Sequence, residues 1–240
     1  MNELAGRTAL VTGGTAGIGF SAAHRLVEAG ASVIITGRNQ RRGQQAQEKL
    51  GPTTHFVAVD MADSSGVERL SRGLELDILV NNAAHFPAGL TVDQDENGFG
   101  RTFATNVRGL YFLVAATVPA MIQRGGGAIV NVTSMVASKG VPGASVYSAS
   151  KAAVEQLTRT WAVEFGPHNI RVNNVAPGPT ATPGVAAEWG ETNEELGRAL
   201  PLGRTADPSE IAEAIYFLAS PRASFITGTT LHVDGGGTAV

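Results

Sequence analysis

The pentapeptide "YSASK", residues 147–151, carries two side chains that can perform acid–base chemistry together. Tyr147 and Lys151 are four residues apart, and residues with this spacing lie on the same face of a helix. A free phenol has a pKa of about 10 and is a poor base at neutral pH. Because a nearby ammonium stabilises phenolate, we expect Lys151 to lower the pKa of Tyr147. The pair predicts a phenol that exchanges a proton with a substrate oxygen.

A glycine-rich segment, "VTGGTAGIGF", follows the first predicted strand and opens the first predicted helix. Gly13 permits a tight turn, while Gly17 and Gly19 permit the backbone to approach a pyrophosphate and the helix to approach the sheet. The unpaired N–H groups of a helix N-terminus favour an anion there. We therefore predict a dinucleotide-binding turn that includes Thr15 and Ile18. The alternative is a glycine-rich turn without a ligand.

The end of the second predicted strand, "IITGRNQRRG", indicates which dinucleotide would bind. An acidic residue at this position contacts the ribose 2′-hydroxyl of NAD, whereas an arginine accommodates the 2′-phosphate of NADP. The segment has no carboxylate and presents Arg38, followed by Arg41 and Arg42 at the positive end of a helix predicted from Gln40. We predict NADP(H) as the preferred cofactor, with NAD(H) possible, and Arg38 as the phosphate ligand; Arg41 and Arg42 are surface charges in the alternative interpretation.

Three motifs, "TGGTAGIG" (residues 12–19), "NNAA" (81–84) and "YSASK", occur in an order that resembles the short-chain dehydrogenase/reductase family, and in particular its 3-oxoacyl-acyl-carrier-protein reductases. The resemblance covers nearly the whole chain. Ala84 stands where the family usually has glycine. The resemblance implies hydride transfer between a nicotinamide and a ketone or secondary alcohol. Tyr147 would then be the acid in reduction and the base in oxidation.

The resemblance also assigns the other site residues. Ser134, thirteen residues before Tyr147, would hold the substrate oxygen, and Asn106 would kink its helix and anchor a water near Lys151. The implied cofactor contacts, besides the glycine turn, Arg38, Tyr147 and Lys151, are Asp60, Met61, Asn82, Ala83, Ala84, Pro177, Gly178 and Thr180. The substrate contacts are expected to be Ser134, Tyr147, Phe86 and Val141, with His85 and Trp189 as further candidates at the edge of the pocket.

The fold class follows from seven short, almost continuously apolar runs that alternate with segments of helical spacing. This alternation predicts an α/β protein with one Rossmann-type, doubly wound, mostly parallel seven-stranded sheet and helices on both faces. Residues 1–240 are predicted to form a single domain. Helices are expected at about residues 18–29, 40–50, 65–75, 96–123, 147–165 and 208–219. The Pro- and Gly-rich segment at about 178–200 is expected to be a substrate lid.

Composition limits the function classes. The 240 residues include no cysteine and carry a formal net charge of −3, so no basic stripe for nucleic acid and no thiolate metal site is expected. His24, His55, His85, His168 and His232 are scattered, and we predict no metal. With no signal peptide or apolar run of membrane-spanning length predicted, the sequence favours a cytoplasmic protein without a membrane partner.

The helices near residues 101–123 and 147–165 are apolar over more of their circumference than packing on one sheet face requires. This favours a homotetramer or homodimer, as the family resemblance also implies. The alternative function is a non-catalytic NADP(H)-binding sensor or scaffold on the same fold. Enoyl reductases of the same superfamily would place the tyrosine six residues before the lysine, where this chain has Ser145. The substrate stays open among a 3-oxoacyl thioester, a sugar, a steroid and a simple aryl ketone.

Overall fold

Seven parallel strands form the centre of the computed structural model, which describes residues 2–240. Their order across the sheet is β3-β2-β1-β4-β5-β6-β7, so all seven predicted strands are confirmed and the predicted mostly parallel sheet is wholly parallel in the described chain. The strands are β1 Thr8–Val11, β2 Ser32–Gly37, β3 Thr54–Ala58, β4 Ile78–Asn81, β5 Gly127–Val132, β6 Ile170–Pro177 and β7 Thr230–Val233.

The strands are apolar on both faces because the sheet is covered on both sides. In β1, Ala9 and Val11 belong to one buried cluster, and Leu10, between them, belongs to the other. This alternation follows from the two-residue period of a strand, with both directions leading into a core. The helices are α1 Gly17–Glu28, α2 Gln40–Leu50, α3 Ser64–Ser71, α4 Glu96–Phe103, α5 Leu110–Gln123, α6 Ser145–Phe165, α7 Pro183–Trp189, α8 Glu191–Arg198 and α9 Pro208–Ala219. Helices α1, α2 and α9 cover the first cluster, and α3, α5 and α6 cover the second.

Helix bounds agree with the sequence where the capping residues are clear. Asp207, the residue before Pro208, is the N-cap of α9 and forms a capping box with Glu210. Helix α9 begins and ends at the predicted residues. The predicted helix 65–75 is shorter in the structure. It stops at Ser71 because Arg72 has extended backbone angles and Gly73 has φ +66°.

The predicted helix 96–123 is interrupted by a π-helical segment, Ala104–Gly109, between α4 and α5. Gly109 lies against the chain after β3: a Cβ at this position would overlap the carbonyl oxygen of Met61. The run of residues 96–123 is long and apolar enough to cross a membrane, but half of its most apolar window is buried inside the fold. This is weak support for a membrane span, because core helices of globular proteins meet the same criterion.

The carboxyl ends of the parallel strands meet at one edge of the sheet. Strand order reverses between β1 and β4, and a crevice at such a switch point is where α/β sheets bind ligands. The glycine turn and Ser134 follow β1 and β5 at this edge, the "NNAA" segment begins at the last residue of β4, and Pro177 is the last residue of β6. Short helices α7 and α8 lie within residues 178–200, the segment predicted to be a lid.

Candidate active site

A cleft of about 460 Å³ opens at this edge. It is lined by the predicted residues from the glycine turn, the ends of β2 to β6, the start of α6 and the α7–α8 segment. Of the predicted site residues, Asn106 alone is not part of its wall. Those in the wall are Gly13, Thr15, Gly17, Ile18, Gly19, Arg38, Asp60, Met61, Asn82, Ala83, Ala84, Phe86, Ser134, Val141, Tyr147, Lys151, Pro177, Gly178 and Thr180.

The glycine turn has no room for side chains. Gly13 has φ +66°, and a Cβ there would lie 2.9 Å from the Cα of Ala83. A Cβ at Gly19 would overlap the carbonyl oxygen of Gly13. Thr12 fastens the turn to β4, because its Oγ1 accepts hydrogen bonds from the backbone N–H groups of Asn82 at 3.0 Å and Ala83 at 3.1 Å. The turn is therefore fixed from both sides, with its backbone open to the cleft.

The N-terminus of α1 fits an anionic group of a dinucleotide. The helix begins at Gly17, and its N-cap residue, Ala16, has no side chain that could accept from the first N–H groups. Those donors and the helix dipole are left for an anion at the cleft. Together with the crowded glycine turn, this arrangement is chemically suited to a pyrophosphate.

Two arginines stand at the end of β2. Arg38 and Arg42 both line the cleft, and Arg41 does not. The side chain of Asn39 caps α2 by accepting from the Arg42 backbone N–H at 2.8 Å. The Arg42 guanidinium turns back to donate from Nε to Thr15 Oγ1 at 3.3 Å. No sequence pattern separates Arg42 from Arg41; in the structure they differ because the Arg42 side chain lines the cleft and donates to Thr15.

Asp60 is already held by protein groups. Its Oδ1 accepts from the Ala62 backbone N–H at 3.0 Å, and its Oδ2 accepts from Arg101 Nη2 at 3.0 Å. Burial acts to raise the pKa of Asp60, but these two hydrogen bonds and the charges of Arg101 and Arg38 bring it below its ordinary value. Arg101, on α4, was not expected at this site, and no local pattern links it to Asp60.

Tyr147 and Lys151 both face the cleft from α6. Lys151 is almost fully buried; its Nζ donates to the Val132 backbone carbonyl at 2.7 Å and lies 5.5 Å from the centroid of the Tyr147 ring. Ser134 lies two residues beyond β5, where it caps a 3₁₀ turn, Met135–Ala137, by accepting from the Val136 N–H at 3.4 Å. The fold thus gathers a phenol, an ammonium and a hydroxyl in one place.

The expected lowering of the Tyr147 pKa is wrong for the protein alone. Tyr147 is half-buried, and burial raises the pKa of its phenol to about 12, although a hydrogen bond with the Ser134 side chain partly offsets the rise. Lys151 is not among the causes of this shift. Burial lowers the pKa of Lys151 to about 8. Desolvation, which the spacing of the two residues does not reveal, is the main cause of both shifts.

Asn106 lies behind the cleft wall, within the π-helical segment. Its Oδ1 accepts from the His85 backbone N–H at 2.7 Å, and its Nδ2 donates to the His85 carbonyl at 2.8 Å and to Ser150 Oγ at 2.9 Å. Ser150 Oγ in turn donates to the Tyr147 carbonyl at 2.7 Å. The predicted helix irregularity is present. Both the Oδ1 and the Nδ2 of Asn106 have protein partners, which supports a positioning role.

The segment after β4 forms a wall of the cleft. His85 lines it, as the sequence suggested, and its Nδ1 is 3.0 Å from Thr102 Oγ1. Because the Thr102 hydroxyl donates to the Gly98 carbonyl, His85 Nδ1 must carry the hydrogen when the ring is neutral. Burial, with Arg101 and Arg38 nearby, lowers the pKa of His85, so the ring is neutral at pH 7. Among residues 2–240 no group of three His, Asp or Glu side chains could hold a metal ion.

The family is established by comparison with known proteins. A family model described as "Enoyl-(Acyl carrier protein) reductase" matches residues 13–238. A solved structure named "short chain dehydrogenase/reductase family protein" superposes with a TM-score of 0.95 at 55% identity and covers 99% of this chain and 100% of that one. The chain belongs to the short-chain dehydrogenase/reductase family, a family of nicotinamide-dependent oxidoreductases.

Curated relatives of similar identity carry different activities in their names. The 3-oxoacyl-[acyl-carrier-protein] reductase FabG of Chlamydia trachomatis is 37% identical over 97% of this chain and 98% of its own. L-xylulose reductase of Bos taurus is 38% identical over 98% of this chain and 97% of its own. A relative named for a 3-oxoacyl-[acyl-carrier-protein] and a relative named for L-xylulose are therefore about equally similar to this chain. Membership of the family does not identify the substrate.

Proposed function

We propose that this protein transfers a hydride between NADP(H) and a ketone or secondary alcohol, with Tyr147 as the general acid and base. One observation carries the proposal: Tyr147, Ser134 and Lys151 face the same cleft that contains the crowded glycine turn. The turn and the uncapped start of α1 are suited to the pyrophosphate of a dinucleotide. The arrangement would therefore put the proton donor beside the reacting end of a bound nicotinamide.

The bound nicotinamide supplies or accepts the hydride, and the protein supplies orientation and the proton. In reduction the Tyr147 hydroxyl gives its proton to the carbonyl oxygen, and in oxidation the phenolate takes it back. The Ser134 hydroxyl holds that oxygen. Lys151 is fixed by the Val132 carbonyl and, with a pKa lowered to about 8, changes charge near neutral pH. When Lys151 is charged, its ammonium would stabilise the phenolate that forms as Tyr147 gives up its proton, against the preference of burial for the neutral phenol.

The preference for NADP(H) over NAD(H) rests on the charges at the end of β2. Arg38 and Arg42 line the cleft there, and the adjoining segment has no carboxylate that would bind a ribose 2′-hydroxyl. Two guanidinium groups at this position favour a phosphate on the 2′-oxygen. NAD(H) would bind without that contact and therefore more weakly.

The spacing of the acid–base pair favours carbonyl over enoyl reduction. A tyrosine six residues before Lys151 would lie at position 145, which is an exposed serine at the first position of α6. Tyr147 instead stands one turn from Lys151 and lines the cleft. The name of the matching family model therefore does not decide the reaction of this chain.

The working form is proposed to be a cytoplasmic homotetramer or homodimer. Exposed apolar side chains on α5 and α6 support the assembly, among them Phe112 and Val163, which are 56% and 78% exposed. Segment 178–200 is proposed to act as the lid, because Val185, Trp189, Asn193 and Leu196 line the cleft while most of their neighbours on α7 and α8 are exposed.

The test separates catalysis from cofactor binding. Wild-type protein is assayed with NADPH and a panel of ketones at the nicotinamide absorbance, and the Kd of NADPH is measured by titration. Tyr147→Phe is expected to lower kcat by about 10²–10⁴-fold with an unchanged Kd, since it removes only the transferable proton. Ser134→Ala is expected to lower kcat in the same way. Tight NADPH binding without turnover of any ketone would instead indicate a sensor.

A further inference from the structure

The substrate end of the cleft has an apolar wall. Side chains from three separate parts of the chain line the cleft that contains Ser134 and Tyr147: the segment after β4, the turn after β5 and the lid. Those that line the cleft are Phe86, Val136, Val141, Val185, Trp189 and Leu196. Most sites for small molecules combine such a surface with a few convergent polar groups that fix the orientation of the ligand.

Phe86 stands directly beside the reacting phenol. The centroids of the Phe86 and Tyr147 rings are 6.2 Å apart at an interplanar angle of 66°, which is an edge-to-face contact. On its other side Phe86 reaches the lid, where a Cβ added to Gly184 would lie 3.2 Å from Phe86 Cζ. Phe86 therefore lies between the acid–base residue and α7, and its ring forms part of the cleft wall next to Tyr147.

Two hydrogen bonds join the lid to the Phe86 segment. Trp189 Nε1 donates to the Phe86 carbonyl at 3.3 Å, and the Ala88 backbone N–H donates to Glu188 Oε1 at 3.0 Å. The indole N–H is the only donor of a tryptophan, so Trp189 is left with its apolar ring for the cleft. Val185, one turn earlier on α7, lines the cleft beside it.

Three polar side chains of the lid region are engaged within the protein, and the bond of His85 Nδ1 to Thr102 leaves its Nε2 as the acceptor for a ligand. Thr182 Oγ1 accepts from the Val185 N–H at 3.2 Å as the cap of α7, and Asn193 Nδ2 donates to the Thr180 carbonyl at 3.4 Å. Thr180 Oγ1 donates to the Gly178 carbonyl at 2.9 Å. The hydroxyls of Ser134 and Tyr147 serve one oxygen. A sugar with several hydroxyls would lose hydration at this wall without comparable hydrogen bonds in return.

We infer that the substrate is a ketone, or the corresponding secondary alcohol, that carries a flat aromatic or bulky apolar group next to the carbonyl, seated between Phe86 and Trp189. The inference rests on the proposed function. In the step, the hydride of the reduced nicotinamide forms the new bond to the carbonyl carbon. The oxygen takes the proton of Tyr147, and the nicotinamide is oxidised; the reverse step oxidises the alcohol. Phe86 and Trp189 are then specificity-determining residues.

The experiment compares matched substrates with NADPH: an aryl methyl ketone, the methyl ketone with a cyclohexyl ring, a ketose and an acetoacetyl thioester of N-acetylcysteamine. We expect kcat/KM for the two ring ketones to exceed that for the ketose by at least about 100-fold, in line with the discrimination that a polar mismatch gives. Equal or higher kcat/KM for the ketose or the thioester would overturn the inference and leave the proposed function intact.

Variants locate the preference. Phe86→Ala and Trp189→Ala are expected to raise KM for the ring ketones at least tenfold and to leave the Kd of NADPH unchanged, whereas Trp189→Phe, which keeps an aromatic face but loses the hydrogen bond to the Phe86 carbonyl, should raise KM by less than Trp189→Ala. Phe225→Ala, at a fully exposed aromatic residue, is the control. Melting temperatures identify variants that do not fold. If an alanine variant does not fold, the KM values of Trp189→Phe and Val185→Ser for the ring ketones are compared instead. Unchanged KM in the folded wall variants would refute the assignment, and no turnover of any ketone by wild type would refute the proposed function itself.

Discussion

The Asn106 side chain binds both backbone groups of His85: its Oδ1 accepts from the N–H at 2.7 Å, and its Nδ2 donates to the carbonyl at 2.8 Å. The same Nδ2 reaches Ser150, whose hydroxyl is bonded to the Tyr147 carbonyl. One buried amide thus connects the segment that carries Phe86 to the helix that carries the phenol. Asn106 lies in the π-helical segment, a type of helix irregularity that is frequent at functional sites.

Asn106→Asp tests this connection with almost no change in size. The carboxylate keeps an acceptor for the His85 N–H but loses the donor to the His85 carbonyl and to Ser150. We expect a loss of roughly 2–4 kcal/mol in the free energy of unfolding, from broken hydrogen bonds and a buried charge. We also expect a fall in kcat with little change in the Kd of NADPH.

Asn97→Asp, an exposed change on α4, is the control for this substitution and should leave both quantities near wild type. Chemical denaturation gives the stability, and steady-state kinetics with an NADPH titration gives the rest. A variant that is destabilised but keeps its full kcat would reduce Asn106 to a structural residue.

A second prediction concerns the pH dependence of carbonyl reduction. Burial lowers the pKa of Lys151 to about 8 and raises that of Tyr147 to about 12. As pH rises through about 8, Lys151 loses its charge while the phenol keeps its proton, so the side chain that titrates first is the lysine. Because a neutral amine no longer favours the phenolate, we expect kcat to decline above pH about 8. The measurement is the pH profile of kcat with NADPH saturating.

Lys151→Arg keeps a cation at all accessible pH values and is expected to move the alkaline decline upward. Lys151→Met is expected to lower kcat at every pH and to remove the step near pH 8. Lys139→Met serves as the matched control, since Lys139 contacts the Gly237 carbonyl and lies outside the cleft wall. If the step stayed near pH 8 in Lys151→Arg, another group would have to be its source.

Much of the sheet could be read from the sequence because each strand is buried on both faces. The apolar run of β4, for example, reaches both clusters, with Val80 in one and Leu79 in the other. Helix α9 could be bounded because Asp207 and Pro208 mark its start chemically. Both patterns are local in the sequence, and a local pattern predicts the structure correctly where the burial and capping in the fold agree with it.

The site could be predicted as a set of residues but not as a set of contacts. The Arg101–Asp60 ion pair and the bonds of Asn106 to His85 join residues 41 and 21 positions apart, and no short pattern encodes either. The pKa of Tyr147 was misjudged because the four-residue spacing reports a neighbouring charge, whereas the shift is governed by burial. Arg42 and Arg41 could not be distinguished from the sequence, because the contact that holds the Arg42 side chain, from its Nε to Thr15 Oγ1, joins residues 27 positions apart.

The third prediction separates the two arginines at the end of β2. Both line the cleft, but Arg42 is also tied to Thr15 by its Nε. We expect Arg38→Ala and Arg42→Ala each to raise the Kd of NADPH about tenfold. Each variant loses one charge-assisted contact, which contributes roughly 1.5–3 kcal/mol when buried and less when the charge is exposed to solvent. The Kd of NADH should change less than twofold in both.

Arg41→Ala, on the same helix but outside the cleft wall, is the control. Arg38→Asp is expected to invert the ratio of kcat/KM between NADPH and NADH, because the new carboxylate repels a 2′-phosphate and accepts from a 2′-hydroxyl. Titration by fluorescence gives each Kd, and the weakening should diminish at high salt. An unchanged NADPH to NADH ratio in Arg38→Asp would remove Arg38 from the phosphate site.

The last prediction concerns the outer face of α5 and α6. Phe112 and Val163 are exposed there, and Tyr111, 42% exposed, packs its ring 5.8 Å from that of Trp161 so that the two helices present one apolar surface. Because a second copy of the chain would bury this surface, we expect wild type to elute as a dimer or tetramer. Phe112→Glu with Val163→Glu should give a smaller species by light scattering. Leu90→Glu, an exposed change outside both helices, should keep the wild-type mass. An assembly unchanged by the double substitution would place the subunit contact on another face.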